Sequence, residues 1–204
     1  MSVAVINYGL GNLKSVVNAI GYLGADVYIA EKPDELQNAS HVILPGVGAF
    51  GEGMQILKGD GWVDDIKTHA VQKQKPFLGI CLGMQLLASR GTEYGDHEGL
   101  GLISGVVDKM KASDKTVRIP HIGWNPVSAK QGFKTYDGLD AESDFYFVHS
   151  YAFKPEDESV ISGTCQHGTE FVASVEKDNI WGAQFHPEKS QKSGLRLLQN
   201  FLTL

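Results

Sequence analysis

The stretch KPFLGICLGMQLLASR, residues 75–90, changes its local structure at a single cysteine. Residues 77–81 form a short, continuous apolar run, as expected of a strand covered on both faces. Residues 82–89 read as a helix that opens with no loop between. So sharp a turn forces the corner residue, Cys81, into a strained backbone conformation. Crowding there favours glycine two positions to either side, where Gly79 and Gly83 stand. The layout is G-x-nucleophile-x-G. A corner side chain projects beyond the carboxyl ends of the strands, where ligand crevices of α/β folds form. The helix start beneath it favours thiolate over thiol, and the backbone N–H of Leu82 points where an oxyanion would develop. The alternative is a buried structural cysteine. Cys165, in SGTCQHG, has no comparable setting and reads as structural.

The rest of the first 90 residues alternates in the same way. Strands are expected at 3–7, 26–30 and 40–44, and helices at 13–23 and 62–70, with Gly24 stopping the first helix. This alternation implies an α/β fold with a mostly parallel central sheet flanked by helices. The second half differs. Residues 91–105 are rich in glycine and lack periodicity, which suggests an irregular surface excursion. Short β-rich runs follow at 117–119, 145–149, 160–165, 171–176 and 180–185, an antiparallel extension. An amphipathic helix is expected at 190–204, with Leu195, Leu197, Leu198, Phe201 and Leu202 as its apolar side. No repeat, linker or low-complexity tract interrupts the chain, so residues 1–204 are expected to form one domain.

Composition narrows the partners. Apolar residues make up 42% and charged residues 21%, ordinary for a soluble globular chain. A net charge of −6 and scattered lysines leave no basic field for nucleic acid or an anionic membrane. No run approaches the ~20 apolar residues of a membrane span, and the first residues lack a signal-peptide pattern. With two cysteines and no sign of secretion, the cytoplasm is the expected compartment and both thiols are expected to be free. Zinc-type spacings are absent, so no metal or other cofactor is expected.

A cysteine nucleophile needs an imidazole, and the imidazole an orienting acceptor. WGAQFHPE, residues 181–188, contains both. In an extended segment Gln184, His186 and Glu188 share one face, and Trp181, Ala183 and Phe185 the other. Pro187 is expected to keep the chain extended at that point. The alternative is a surface His-Pro-Glu turn. His149, in FYFVHSY, is a rival base without a nearby carboxylate, while His41, His69, His97, His121 and His167 read as surface or edge residues. The loop LPGVGAFG, residues 44–51, contains G-x-G-x-x-G after a strand. It lacks the acidic partner of a dinucleotide site, since Asp64 and Asp65 sit in a helical pattern. It suits a second oxyanion-hole strand in which the N–H of Gly48 faces the pocket. A plain flexible loop is the other reading.

Together, PGVG at 45–48, GICLGMQ at 79–85 and FHPE at 185–188 resemble the class I, or triad, glutamine amidotransferases. NYGLGNL at 7–13, residues 45–54, IPHIGWN at 119–125, FYFVHSY at 145–151 and HPEKS at 186–190 narrow the likeness. Within that family they are similar to the glutaminase subunits of imidazole glycerol phosphate synthases, enzymes of histidine biosynthesis. The resemblance runs from Val3 to the last helix. It implies a flavodoxin-like amidotransferase fold and hydrolysis of L-glutamine to glutamate and ammonia through a γ-glutamyl thioester. It implies Cys81 as nucleophile, His186 as general acid/base and Glu188 as its orienter. Gly48 and Leu82 would form the oxyanion hole, and Gln85, Ser150 and Tyr151 would contact substrate. From the residues alone, Gln85 is an exposed helix residue.

The same resemblance implies a separate cyclase subunit with a (β/α)8 barrel, joined in a heterodimer and receiving ammonia through a sheltered passage. That subunit would make imidazole glycerol phosphate and an aminoimidazole carboxamide ribotide. Asn12, Pro120, Ile122, Trp124, Tyr146 and Lys189 lie in stretches similar to the partner-facing surface. Edge-of-core packing is their alternative. The triad alone also admits glutaminases that feed pyridoxal phosphate or anthranilate synthesis, a γ-glutamyl hydrolase, or a catalytically silent regulatory subunit. YGLGNL and HIGWN argue against the first of these, and the intact Cys81, His186 and Glu188 set against the last.

Overall fold

The continuous apolar runs of the first half become the interior of a sheet. In the computed structural model, which describes residues 1–112 and 117–204, β1 (Ser2–Ile6), β2 (Asp26–Ala30), β3 (His41–Gly46) and β4 (Phe77–Cys81) lie parallel. Around them pack α1 (Leu13–Tyr22), α2 (Phe50–Gly59), α3 (Trp62–Lys67) and α4 (Leu82–Leu86). Successive strand residues face opposite sides, and so feed two cores. Ala4, Ile6, Val42, Leu44 and Phe77 pack with Met54, Leu57 and Trp62; Val3, Val5, Ile43, Leu78 and Ile80 pack with Val16 and Ile20 of α1 and with the last helix. Two covered faces explain why these strands show no polar alternation.

The second half extends the same sheet. It contains β5 (Arg90–Gly91), β6 (His97–Glu98), β7 (Gly105–Lys109), β8 (His121–Ala129), β9 (Glu142–His149), β10 (Tyr151–Pro155), β11 (Ile161–His167), β12 (Thr169–Lys177) and β13 (Ile180–Ala183). The last helix, α5 (Gln191–Leu202), buries Leu197, Leu198, Phe201 and Leu202. The large sheet has the order β2-β1-β3-β4-β13-β12-β11-β8-β9. β13 joins β4 in parallel, and every pairing beyond it is antiparallel. This is the expected α/β class, with a mixed sheet in which four antiparallel-paired strands extend five parallel ones. A smaller sheet, β10-β7-β5-β6, lies beside it.

Several elements differ from expectation. α2 starts inside the glycine-rich stretch, whose glycines serve packing rather than looseness. A Cβ on Gly51 would meet the His97 ring at 2.6 Å, and one on Gly53 would press Leu86 at 3.3 Å. The helix expected at 62–70 is α3 running into a π-helical turn at Thr68–Gln72. The helix expected at 82–89 ends at Leu86. Residues 117–119 form no strand. The ladder begins at His121, after Pro120, which has no N–H to donate. β10 was not foreseen, and β13 stops at Ala183, short of 185.

Candidate active site

Cys81 closes β4 and Leu82 opens α4, with no residue between. The backbone of Cys81 sits at φ 55°, ψ −110°, outside the regions open to an L-residue without strain. The flanking glycines are required by contact. A Cβ on Gly79 would lie 2.5 Å from the Gly83 carbonyl oxygen, and one on Gly83 would collide with the Leu44 carbonyl. Gly46 stands opposite Cys81 in the β3–β4 ladder, which brings the loop at 46–48 alongside the corner. Gly48 in that loop has φ +109°, a conformation that favours glycine. α4 has five residues, so the helix dipole beneath the sulfur is smaller than a helix over 82–89 would supply.

His186 arrives at the same end of the sheet because β13 runs parallel to β4, with Ala183 beside Ile80. Its backbone is clamped. The His186 N–H donates to Tyr146 O at 2.9 Å, and Ser190 Oγ donates to His186 O at 2.6 Å while accepting from the Tyr146 N–H at 3.0 Å. Contrary to the expectation from Pro187, the chain does not stay extended past this point. Pro187–Lys189 forms a 3-10 turn. That turn, not strand alternation, brings Glu188 Oε1 to 2.8 Å from His186 Nδ1, with side chains only 2–3% exposed. The other ring nitrogen, Nε2, and Glu188 Oε2 have no hydrogen-bond partner of good geometry. Cys81 is the other group that acts on the charge of the ring. Burial works against a charged ring, but Cys81 and Glu188 outweigh it and lift His186 to about 9. His186 can therefore hold a proton taken from sulfur and release it later.

A cavity of about 240 Å³ opens at the corner, lined by Val47, Gly48, Cys81, Leu82, Gln85 and Glu93 and by residues 148–151. Its size suits an amino acid better than a nucleotide. Ser150 and Tyr151 are among the residues that line it. Gln85 is not an exposed helix residue. It is buried, and its Nε2 donates to Tyr151 O and to Gln184 Oε1, both at 3.0 Å. Gln184 is fully buried and its Nε2 lies 3.8 Å from Cys81 Sγ.

Histidine placement departs furthest from expectation. His41, His69 and His121 are buried, not surface or edge residues, whereas His97 and His167 are half-buried. His149 lines the cavity, yet both its nitrogens are engaged. Nδ1 donates to Tyr151 O at 2.8 Å, so Nε2 accepts from His121 Nδ1 at 3.1 Å, and His121 Nε2 accepts from Asn125 Nδ2 at 2.6 Å. Burial holds His149 down at about 4, with the Tyr151 carbonyl opposing. A ring committed to this neutral chain is a poor general base. Glu93 is a site residue that sequence reasoning missed. Its Oε2 accepts the Phe50 N–H at 2.9 Å at the start of α2, and the residue lines the cavity. The only signal was an acidic residue in the glycine-rich excursion directly after the nucleophile helix.

The surface residues separate into two kinds. Ile122 is 60% and Trp124 45% exposed on β8, so neither is edge-of-core packing. Tyr146 is half-buried, its ring 5.9 Å from that of Trp124 across the β8–β9 ladder. Val148, opposite Ile122, lines the cavity, so this apolar patch adjoins the pocket. Pro120 and Lys189 are exposed, Lys189 on the turn after His186. Asn12 is exposed and also caps α1, accepting the Ser15 N–H at 3.4 Å. Among the described residues, no group of three or more His, Cys, Asp or Glu is placed to hold a metal ion, and no helix is long and apolar enough to cross a membrane.

Comparison with known proteins decides the family. Residues 4–204 match the family described as glutamine amidotransferase class-I. The chain belongs to that family. This amidotransferase is 49% identical over 202 residues to imidazole glycerol phosphate synthase subunit HisH 1 of Campylobacter jejuni (strain RM1221), covering 99% of this chain and 100% of the relative. It is 47% identical over 203 residues to subunit HisH of the same synthase from Aquifex aeolicus (strain VF5), covering 98% and 96%. Among solved structures, PurLQS from Thermotoga maritima superposes with a TM-score of 0.77 at 18% identity, covering 99% of this chain and 97% of that one. A structure described as a glutamine amidotransferase gives 0.76 at 20% identity, covering 98% and 97%. At such identities the amidotransferase shares the fold with these two.

Proposed function

We propose that the chain is the glutaminase subunit of an imidazole glycerol phosphate synthase, acting in histidine biosynthesis in the cytoplasm as a single catalytic domain. The observation that carries this reading is a strained corner cysteine that lines a cavity, together with a buried imidazole whose hold on a proton is raised by that sulfur and by a carboxylate 2.8 Å from its Nδ1. His186 takes the Cys81 proton and the thiolate attacks the glutamine side-chain amide. Backbone N–H groups of Leu82 and the loop at Gly48 hold the oxyanion. His186 then protonates the departing ammonia. Water, giving a proton to His186, hydrolyses the γ-glutamyl thioester to glutamate and frees the sulfur. Gln85, Ser150 and Tyr151 form the substrate pocket, and the Glu93 carboxylate offers a counter-charge to the α-ammonium group.

Ammonia released in the pocket would pass to a cyclase with a (β/α)8 barrel, bound as a heterodimer over the apolar patch of Ile122, Trp124 and Tyr146. Asn12, Pro120 and Lys189 complete the proposed contact. A flip of the peptide near Val47, permitted by Gly46 and Gly48, would couple oxyanion-hole formation to the partner. The test is glutamate release from glutamine, with and without the cyclase and its nucleotide. Expected are slow hydrolysis alone, marked stimulation in the complex, and no glutamine-dependent synthesis with Cys81→Ala while ammonium salt still supports the cyclase. Full turnover by the isolated subunit, unchanged by cyclase and nucleotide, would remove the coupling; no hydrolysis in any mixture would remove the reading.

A further inference from the structure

Gln184 is a fully buried primary amide pressed against the reacting sulfur, and the steps above do not use it. Its orientation is dictated by its neighbours. Gln85 meets the backbone carbonyl of Tyr151, which only accepts, so the Gln85 atom there is nitrogen. The second hydrogen of that NH2 goes to Gln184, which must turn its oxygen toward Gln85. The NH2 of Gln184 is thereby left facing Cys81 Sγ. Val148 O, 3.9 Å from the sulfur, is an acceptor that suits the thiol and opposes the thiolate. The backbone N–H of Gln184, held by Ala173 O at 2.8 Å, fixes the residue at the end of β13.

We propose that Gln184 is a catalytic residue whose side-chain N–H donates to the Cys81 sulfur and stabilises its anionic form, with Gln85 as the positioning residue that keeps the amide turned. This rests on the glutaminase reading. The sulfur carries negative charge twice in that reaction. It does so first when His186 has taken the thiol proton. It does so again when water attacks the thioester carbon, gives a proton to His186, and the C–S electron pair returns to sulfur as glutamate leaves. A donor fixed at the sulfur lowers both steps, because a hydrogen bond to a charged partner is worth about twice one between neutral groups. A structural role alone, tying α4 to β13, would need only the oxygen of Gln184.

The test is the pH–rate profile for alkylation of Cys81 by iodoacetamide, read by peptide mass spectrometry in the full chain without glutamine or partner. Failure of the glutaminase reading would show in glutamate release, not here. Gln184→Met removes donor and acceptor, and Gln184→Glu keeps the acceptor for Gln85 but removes the donor. Each is expected to move the profile midpoint up by about one pH unit and to slow alkylation at pH 7 about tenfold. In the complex, kcat should fall about tenfold with KM within twofold. Gln85→Met, which frees the amide to turn, should shift the midpoint in the same direction by a smaller amount. Should Gln184→Met not fold, Gln184→Leu, which also lacks the donor and adds no charge, takes its place. An unmoved midpoint in any folded Gln184 variant overturns the proposal, as does a shift in Gln184→Glu alone, which would mean that the sulfur merely feels added charge.

Discussion

The parallel half and the antiparallel extension bring their residues to the site by different physics. Cys81 is positioned largely within five residues, since the turn from β4 into α4, the positive φ and the crowding of Gly79 against Gly83 are local, and only the packing of Gly83 on the Leu44 carbonyl reaches a neighbouring strand. His186 and Glu188 owe their places to distant contacts. The register of β13 on β4, the Tyr146–Ser190 clamp and the 3-10 turn at Pro187–Lys189 are each needed. A nucleophile can thus be read from a short stretch, whereas its base exists only once the sheet is complete. Strain belongs to the first half and long-range assembly to the second.

The largest expected effect tests the extension's contribution. Glu188→Gln should leave the fold intact but lower kcat by about 10³- to 10⁴-fold, because the His186 ring loses its fixed tautomer. Ring titration by NMR should show His186 moving down in the same variant. Gly83→Ala tests the parallel half. Its Cβ strikes the Leu44 carbonyl, which cannot move aside, so stability in urea should drop by about 1–3 kcal/mol or more.

Acid and base should separate the two contributions further. His121, His149 and His69 are held down by burial, to about 3, 4 and 4, and stay neutral when folded. The unfolded chain binds protons below 6.5, so the stability these groups contribute above that pH is lost as pH falls toward 4 and 3. His186, raised to about 9, contributes stability fully present below 6.5 that is lost as pH rises through 9. Urea midpoints measured from pH 4 to 10 should therefore peak near 6.5, with the alkaline limb flattened in Glu188→Gln and the acid limb shallower in His121→Gln. A flat profile between pH 7 and 5 would break this picture. The smallest effect is a control within the parallel half. Gly59, at the exposed end of α2, has open space around its missing Cβ, so Gly59→Ala should stabilise by about 0.4–1 kcal/mol in the same urea titration.

What could be read from the sequence follows the same division. The parallel strands, the corner at Cys81 and the apolar side of α5 are written in local patterns. α2 escaped because Gly51, Gly53 and Gly59 resemble loop residues until His97 and Leu86 are seen packed against the first two. The buried histidines escaped because a neutral chain such as Asn125–His121–His149–Tyr151 has no signature in any one segment. Glu188 was found on the assumption of an extended chain, yet a 3-10 turn places it. Glu93 and the donor role of Gln184 depend on partners 43 and 103 positions away, which local pattern does not encode.

The most direct measurement is the NMR titration of the His186 ring in the wild-type chain and in Cys81→Ala. A midpoint near 9 in the wild type that falls when the sulfur is removed is the expected result, since the sulfur and Glu188 together hold the proton on the ring. A midpoint at or below 6.5 that ignores the loss of Cys81 would mean that the two halves do not meet as an acid–base pair.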